Sequence, residues 1–199
     1  MRRSSSRATL IGVLDAIGVE RVTWVGHDWG GWAGFLAAAR APERLERLLA
    51  LCIPHPWVRP DPRQLALLGY QLPVSMPLLG RRIAAPLSRA ILQSGRSGER
   101  LADADLEIFA GQIPGRVSSA LYRTFLTREL GSALRSRDQR LAVETTVLVG
   151  ERDVVTSGVA AGRVEGQPQV TVERVAGVAH WLPEQRPELV AERVRGGGR

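Results

Sequence analysis

An aspartate in a glycine-flanked turn, a second acid after an apolar run and a late histidine are spaced for chemistry in this chain. Gly26-His27-Asp28-Trp29-Gly30 lies between an apolar run at 22–25 and a helix-forming run at 31–40. That order reads as strand, tight turn, helix. In such a turn neighbouring backbone is expected to pass close to Gly26 and Gly30, leaving little room for a Cβ. The residue between them is thrust outward. A carboxylate there is already ionised at neutral pH. It needs no base to attack, and it can displace a leaving group from saturated carbon, forming an alkyl ester. Asp also suits turns and helix caps, so Asp28 alone leaves both readings open.

An alkyl ester must then be hydrolysed. That step calls for a histidine to activate water and an acid to orient the histidine. The chain has three histidines. His27 lies inside the turn, and His55, between Pro54 and Pro56, reads as structural. His180 follows everything else, in Gly177-Val178-Ala179-His180-Trp181-Leu182-Pro183. Upstream, the run at 146–149 reads as a buried strand leading into Gly150-Glu151-Arg152-Asp153. Asp153 is the expected acid and Glu151 its nearest competitor. A surface loop acid and a core histidine beside Trp181 are the plainer alternatives.

These phrases resemble the epoxide hydrolase and haloalkane dehalogenase branch of the α/β-hydrolase superfamily, nearer the epoxide hydrolases. The resemblance rests on VGHDWGG (25–31), ARAPERLERLLAL (39–51), IPHPW (53–57), YQLP (70–73), LYRTFL (121–126), LVGERD (148–153) and HWLPEQRPE (180–188). They occur in family order through nearly the whole chain. The resemblance implies the order nucleophile, acid, histidine, met here by Asp28, Asp153 and His180. It implies that the Trp29 backbone N–H is one oxyanion donor. It places Trp29, Tyr70, His27 and Trp181 around the substrate. Epoxide opening leaves an alkoxide, for which epoxide hydrolases typically use two cap-domain tyrosines. Tyr122 matches the second. Aligned on YQLP, the first falls near Ala66, with Tyr70 at a neighbouring aromatic position, so Tyr70 is either a shifted donor or a packing aromatic. Dehalogenases hold halide with a second Trp or an Asn. The chain has no Asn, and Trp57 belongs to the common HPW phrase, which favours epoxide hydrolysis over dehalogenation.

The implied fold class is α/β: a partial α/β-hydrolase fold, with a mostly parallel sheet formed from its last four strands and an inserted helical cap. The expected divisions are core at 1–55, cap at 56–140, core at 141–195 and a disordered tail at 196–199. Helical patterns fall at 9–17, ended by Gly18, and at about 78–92, 103–110, 116–129 and 187–194. Further strands are expected at about 48–53 and 170–174. In the family four strands precede the turn, along with an HG-x-P loop that supplies the second oxyanion donor. Only 27 residues precede Asp28, and no such loop is found. The strand at 22–25 is thus expected to be a bare apolar edge suited to self-association. A catalytically inactive remnant is the alternative to an active hydrolase.

Composition adds bounds. No apolar run is long enough to cross a bilayer. One cysteine, Cys52, rules out an internal disulfide framework and fits a reducing, cytoplasmic compartment. It is expected within a strand as a small buried hydrophobe. No cofactor motif and no metal-binding motif such as H-E-x-x-H is present. The net charge of +7 raises nucleic acid or anionic membranes as partners. The basic residues are all arginines, scattered in runs no longer than two, so neither partner is expected. Absence of both Lys and Asn points to a GC-rich, bacterial genome. The expected ligand is a small apolar molecule, an epoxide or alkyl halide. The start, Met1-Arg2-Arg3-Ser4-Ser5-Ser6-Arg7, has transit-peptide composition but runs directly into a family helix.

Overall fold

The computed structural model describes residues 5–57, 68–95, 102–112, 114–135, 140–154, 156 and 167–196. Helix α1 (Ser5–Ala16) precedes strand β1 (Val22–His27). Gly18, at φ 70°, turns the chain between them. Helix α2 (Trp29–Arg40) follows immediately, and a short 3₁₀ turn, Pro42–Arg44, leads into β2 (Leu45–Leu51). The second strand therefore starts and ends earlier than the pattern at 48–53 suggests. Cys52 lies just past it, with φ 47°, a left-handed backbone that no strand accommodates. Strands β3 (Glu144–Gly150) and β4 (Val170–Val175) complete a parallel sheet of order β1-β2-β3-β4.

The two central strands, β2 and β3, are buried on both faces, as continuous apolar runs in parallel strands require. Successive residues of β2 face opposite ways. Leu48 and Ala50 join Phe35 and Ala38 of α2, together with Val147 and Val149 of β3. Leu49 and Leu51 join Leu148 and Leu182 on the other side. There Leu189, Val190 and Val194 of α9 (Pro187–Gly196) pack against them, just after the single turn of α8 (Leu182–Gln185). Each fully buried Leu is worth roughly 1.5–3 kcal/mol of transfer free energy. Gly196, expected in the tail, closes α9; residues 197–199 and 1–4 lie outside the described residues.

Between β2 and β3 stand α3 (Gln71–Ser75), α4 (Leu79–Gln93), α5 (Asp103–Gly111), α6 (Gly115–Thr124) and α7 (Leu130–Arg135). The single helix expected at 116–129 is instead broken after Thr124 by a wide π-type turn, Phe125–Glu129. The break falls where Phe125 enters the core, its ring centroid 5.1 Å from both Trp29 and Trp32. The Ser119 hydroxyl of α6 donates to the Met76 carbonyl at 3.1 Å, tying that helix to the segment between α3 and α4.

Among the described residues β1 pairs only with β2. Its Val25, in register with Leu49, is 41 % exposed, whereas Leu49 is 4 % exposed.

Candidate active site

Parallel pairing gathers the site. His27 is in register with Leu51, Leu51 with Leu148, and Gly150 with Val175. The carboxyl ends of all four strands therefore lie along one rim, the usual ligand-binding edge of an open α/β sheet. Asp28, Cys52, Asp153 and the loop to Trp181 all leave the sheet there.

Asp28 is held at φ 49° and ψ −117°, outside the regions open to an ordinary L-residue. Such a conformation costs about 1–3 kcal/mol and persists only where its surroundings over-determine it. Here the Asp28 N–H donates to the Leu51 carbonyl at 3.1 Å, and the Asp28 carbonyl accepts from Trp32 N–H at 3.0 Å. Asp28 occupies the N-cap of α2, yet its carboxylate makes no capping bond. The tight turn depends on Gly26 and Gly31, not on Gly26 and Gly30. A Cβ on Gly26 would overlap the backbone of Gly30 and Gly31, and one on Gly31 would strike the Ile53 side chain. A Cβ on Gly30 would meet nothing; its carbonyl accepts instead from the Trp24 indole at 3.0 Å.

Asp153 is fully buried and faces His180, whose Nδ1 lies 3.1 Å from Asp153 Oδ2. The competitor, Glu151, is exposed and accepts the Gly177 N–H at 3.0 Å. Thr156 fixes the Asp153 carboxylate, its N–H donating to Oδ1 at 3.3 Å and its hydroxyl to Oδ2. The sequence reading missed Thr156. Its signal was local: an acid followed three residues later by a hydroxyl, a spacing that supports side-chain bonds to nearby backbone.

The two histidines respond oppositely to one environment. Burial lowers the His27 pKa, and the neighbouring His180 charge lowers it further. Burial also opposes the His180 cation, but the hydrogen bond and charge of Asp153, aided by Asp28 and Glu184, outweigh it and hold that pKa above the ordinary value. His27 Nε2 donates to the His180 carbonyl at 2.8 Å, and the ring centroids are 5.0 Å apart. The Trp181 ring lies 5.7 Å from His27, 5.5 Å from His180 and 5.8 Å from Phe109 of α5.

The helices bring two phenols to the same place. The Tyr70 and Tyr122 hydroxyls are 3.1 Å apart, and the Tyr122 ring centroid is 5.3 Å from that of Trp29. Burial raises both phenol pKa values, and hydrogen bonds from Tyr70 and Trp29 partly offset the rise at Tyr122. The charge of Asp28 bears on both tyrosines and both histidines. Ala66, the aligned alternative to Tyr70, lies outside the described residues. His55, read as structural, is buried, and its Nδ1 accepts the Trp57 N–H at 3.2 Å.

The family described as "alpha/beta hydrolase fold" matches residues 8–187. The chain is 26 % identical over 198 residues to "Epoxide hydrolase 4" of Homo sapiens, covering 89 % of this chain and 53 % of the human protein. The crystal structure of Cfl2 from Burkholderia cenocepacia superposes with a TM-score of 0.72 at 21 % identity, over 94 % of this chain and 69 % of that one. Bacillus megaterium epoxide hydrolase in complex with an inhibitor superposes with a TM-score of 0.71 at 19 % identity, over 96 % and 76 %. The chain belongs to the alpha/beta hydrolase fold family, and within it resembles epoxide hydrolases. It spans about half the length of the curated full-length relatives it matches. No helix among the described residues is long and apolar enough to cross a membrane.

Proposed function

We propose that this chain carries the nucleophile, water-activating and proton-donating groups of an epoxide hydrolase acting on small apolar epoxides. The observation that carries the reading is Asp28: a strained carboxylate with no capping bond, on the same rim as the His180–Asp153 pair and next to Trp29, whose ring meets that of half-buried Tyr122. In the first step an Asp28 oxygen attacks an epoxide carbon and the ring C–O bond breaks. Tyr122, assisted by Tyr70, donates a proton to the departing oxygen. In the second step His180 takes a proton from water, and the resulting hydroxide attacks the ester carbonyl of Asp28. Asp153 stabilises the imidazolium. The Trp29 N–H, at the start of α2, faces the developing oxyanion; on collapse the departing alkoxide takes the His180 proton, the Asp28 carboxyl returns a proton to the Tyr122 phenolate, and the diol leaves.

In this reading residues 56–140 form the cap over core segments 1–55 and 141–195, Trp181 and His27 line the substrate cavity, and the protein is bacterial and cytoplasmic. A chain without activity by itself is the second reading, favoured by β1, which among the described residues pairs only with β2. His180→Gln separates them, because alkylation needs Asp28 and a proton donor but no base. Incubated with an apolar epoxide, the variant should gain the mass of one epoxide on the peptide containing Asp28. Failure of both this variant and the parent protein to form the adduct, with the epoxide bound, supports the second reading instead.

A further inference from the structure

We infer that His27, Cys52 and His180 form a three-ligand site for a borderline-soft divalent cation of the zinc class, and that a bound cation blocks the water-activating histidine. One potential donor atom from each lies within 4.8 Å of the other two. Cys52 and His180 are buried, and His27 is half-buried. The three come from neighbouring points on the strand-end rim: the last residue of β1, the residue after β2, and the loop after β4.

Imidazole nitrogen and thiolate sulfur are both ordinary ligands of zinc. Asp153 holds the His180 Nδ1 at 3.1 Å, so coordination would proceed through Nε2, with Asp153 as the carboxylate support usual behind a ligating histidine. Tetrahedral zinc, with Zn–N about 2.0–2.1 Å and Zn–S about 2.3 Å, sets its donors roughly 3.3–3.6 Å apart. The side chains must therefore close by about an ångström. Burial and the Asp153 charge push the Cys52 thiol pKa up to about 12, so the cation must displace its proton. Cys52 Sγ gives up contacts to Asp153 and to the Ala179 carbonyl, the latter at 3.6 Å, and His27 gives up its bond to the His180 carbonyl or turns its other nitrogen to the metal. Coordination forms one metal–sulfur and two metal–nitrogen bonds, and the Cys52 proton passes to the buffer. Nothing is oxidised or reduced. With three protein ligands, a fourth position stays open to water.

Binding does not depend on the hydrolase reading; only the block on His180 rests on it. The test is therefore spectroscopic. The intact chain is titrated with Co²⁺, then with Zn²⁺ as competitor. Expected are one Co²⁺ per chain, a thiolate-to-cobalt charge-transfer band, loss of that band on adding Zn²⁺, and release of about one proton per ion. Cys52 is the single cysteine, so the band can arise from no other sulfur. Cys52→Ser should abolish it, and His27→Gln should weaken cobalt binding at least tenfold. Asp153→Asn should weaken it roughly 10–100-fold, as loss of an outer partner does. Circular dichroism confirms that each variant is folded, and the proton count on the unaltered chain depends on no variant. Absence of the charge-transfer band at about millimolar Co²⁺, or a band unchanged in His27→Gln, overturns the site.

Discussion

The strand-end rim and the helical layer above it each bring groups to Asp28, but by different means. On the rim, position is set by the backbone. Asp28 and Cys52 each follow directly from a paired strand, Asp153 comes three residues after β3, and register fixes those strand ends relative to one another. In the helical layer the Tyr70–Tyr122 contact is made between residues 52 apart in sequence, through their hydroxyls and edge-on rings and not through paired strands. The proposed two-step chemistry divides along the same line. Ester formation needs both halves, whereas ester hydrolysis needs the rim alone.

The sharpest way to break that division is Asp153→Asn. The His180 imidazolium would lose its buried counter-charge while the phenols and Asp28 stay in place. Ester hydrolysis should slow by about 10²–10⁴-fold, the range of a general base, with ring opening within a few-fold of the parent. Stopped-flow tryptophan fluorescence and quenched mass spectrometry read the two steps separately. An equal loss in both steps would show that Asp153 holds up the whole rim instead of serving His180.

Tyr122→Phe probes the other half. Ring opening should fall about 10²-fold, as expected for removal of an acid catalyst, while hydrolysis of a preformed ester should be nearly unaffected. Halide displacement from an alkyl halide should suffer much less, since halide departs without a proton. Tyr70→Phe should cost less than Tyr122→Phe, because Tyr70 reaches the site through the Tyr122 hydroxyl. Equal losses on epoxide and halide would mean that Tyr122 merely packs against Trp29.

The same division explains what the sequence showed. The placing of Asp28 and Asp153 on the rim was legible because each belongs to a short phrase after a paired strand, whereas His180, five residues past β4, was found only as the last histidine of the chain. The meeting of Tyr70 with Tyr122 was not legible, because no local pattern says which two residues of separate elements will meet. Gly30 was misread because a G-x-D-x-G phrase shows which glycines are present, not which backbone approaches them. Gly31, the one beside the Ile53 side chain, falls outside the phrase. The extent of β2 and the exit of Cys52 from it were missed because an apolar run continues through Ile53 while the backbone has already left the ladder at Leu51.

A smaller effect concerns pH. His180 has its pKa raised in the folded state, and it must be neutral to take a proton from water. The acid limb of ester hydrolysis, measured with a chelator present, should therefore lie above pH 6.5, the ordinary histidine value, and move downward in Asp153→Asn. Stability runs the other way. The charged pair contributes fully below about pH 6.5, and the contribution is lost as pH rises through the raised value. His27, whose pKa is lowered, has the opposite sign, so parent and Asp153→Asn must be compared by denaturant titration at each pH. An acid limb at or below 6.5 in the parent would contradict the assignment of His180 as the base.

The smallest expected change in folding stability lies at the edge strand β1. Val25 stands on β1 with 41 % of its surface exposed, and the outer side of that strand pairs with nothing among the described residues. An unpaired apolar edge is a template for another strand. The 199-residue chain alone should sediment as dimers or larger species at about micromolar concentration. Val25→Glu places a charge on that strand, as natural edges do, and should shift the chain toward monomer. Because Val25 is half in water already, the change in folding stability should stay near 0.5 kcal/mol or less, as for ordinary surface substitutions. Sedimentation velocity on both proteins decides the matter. A parent that is monomeric at tens of micromolar would show that the β1 edge is shielded in solution.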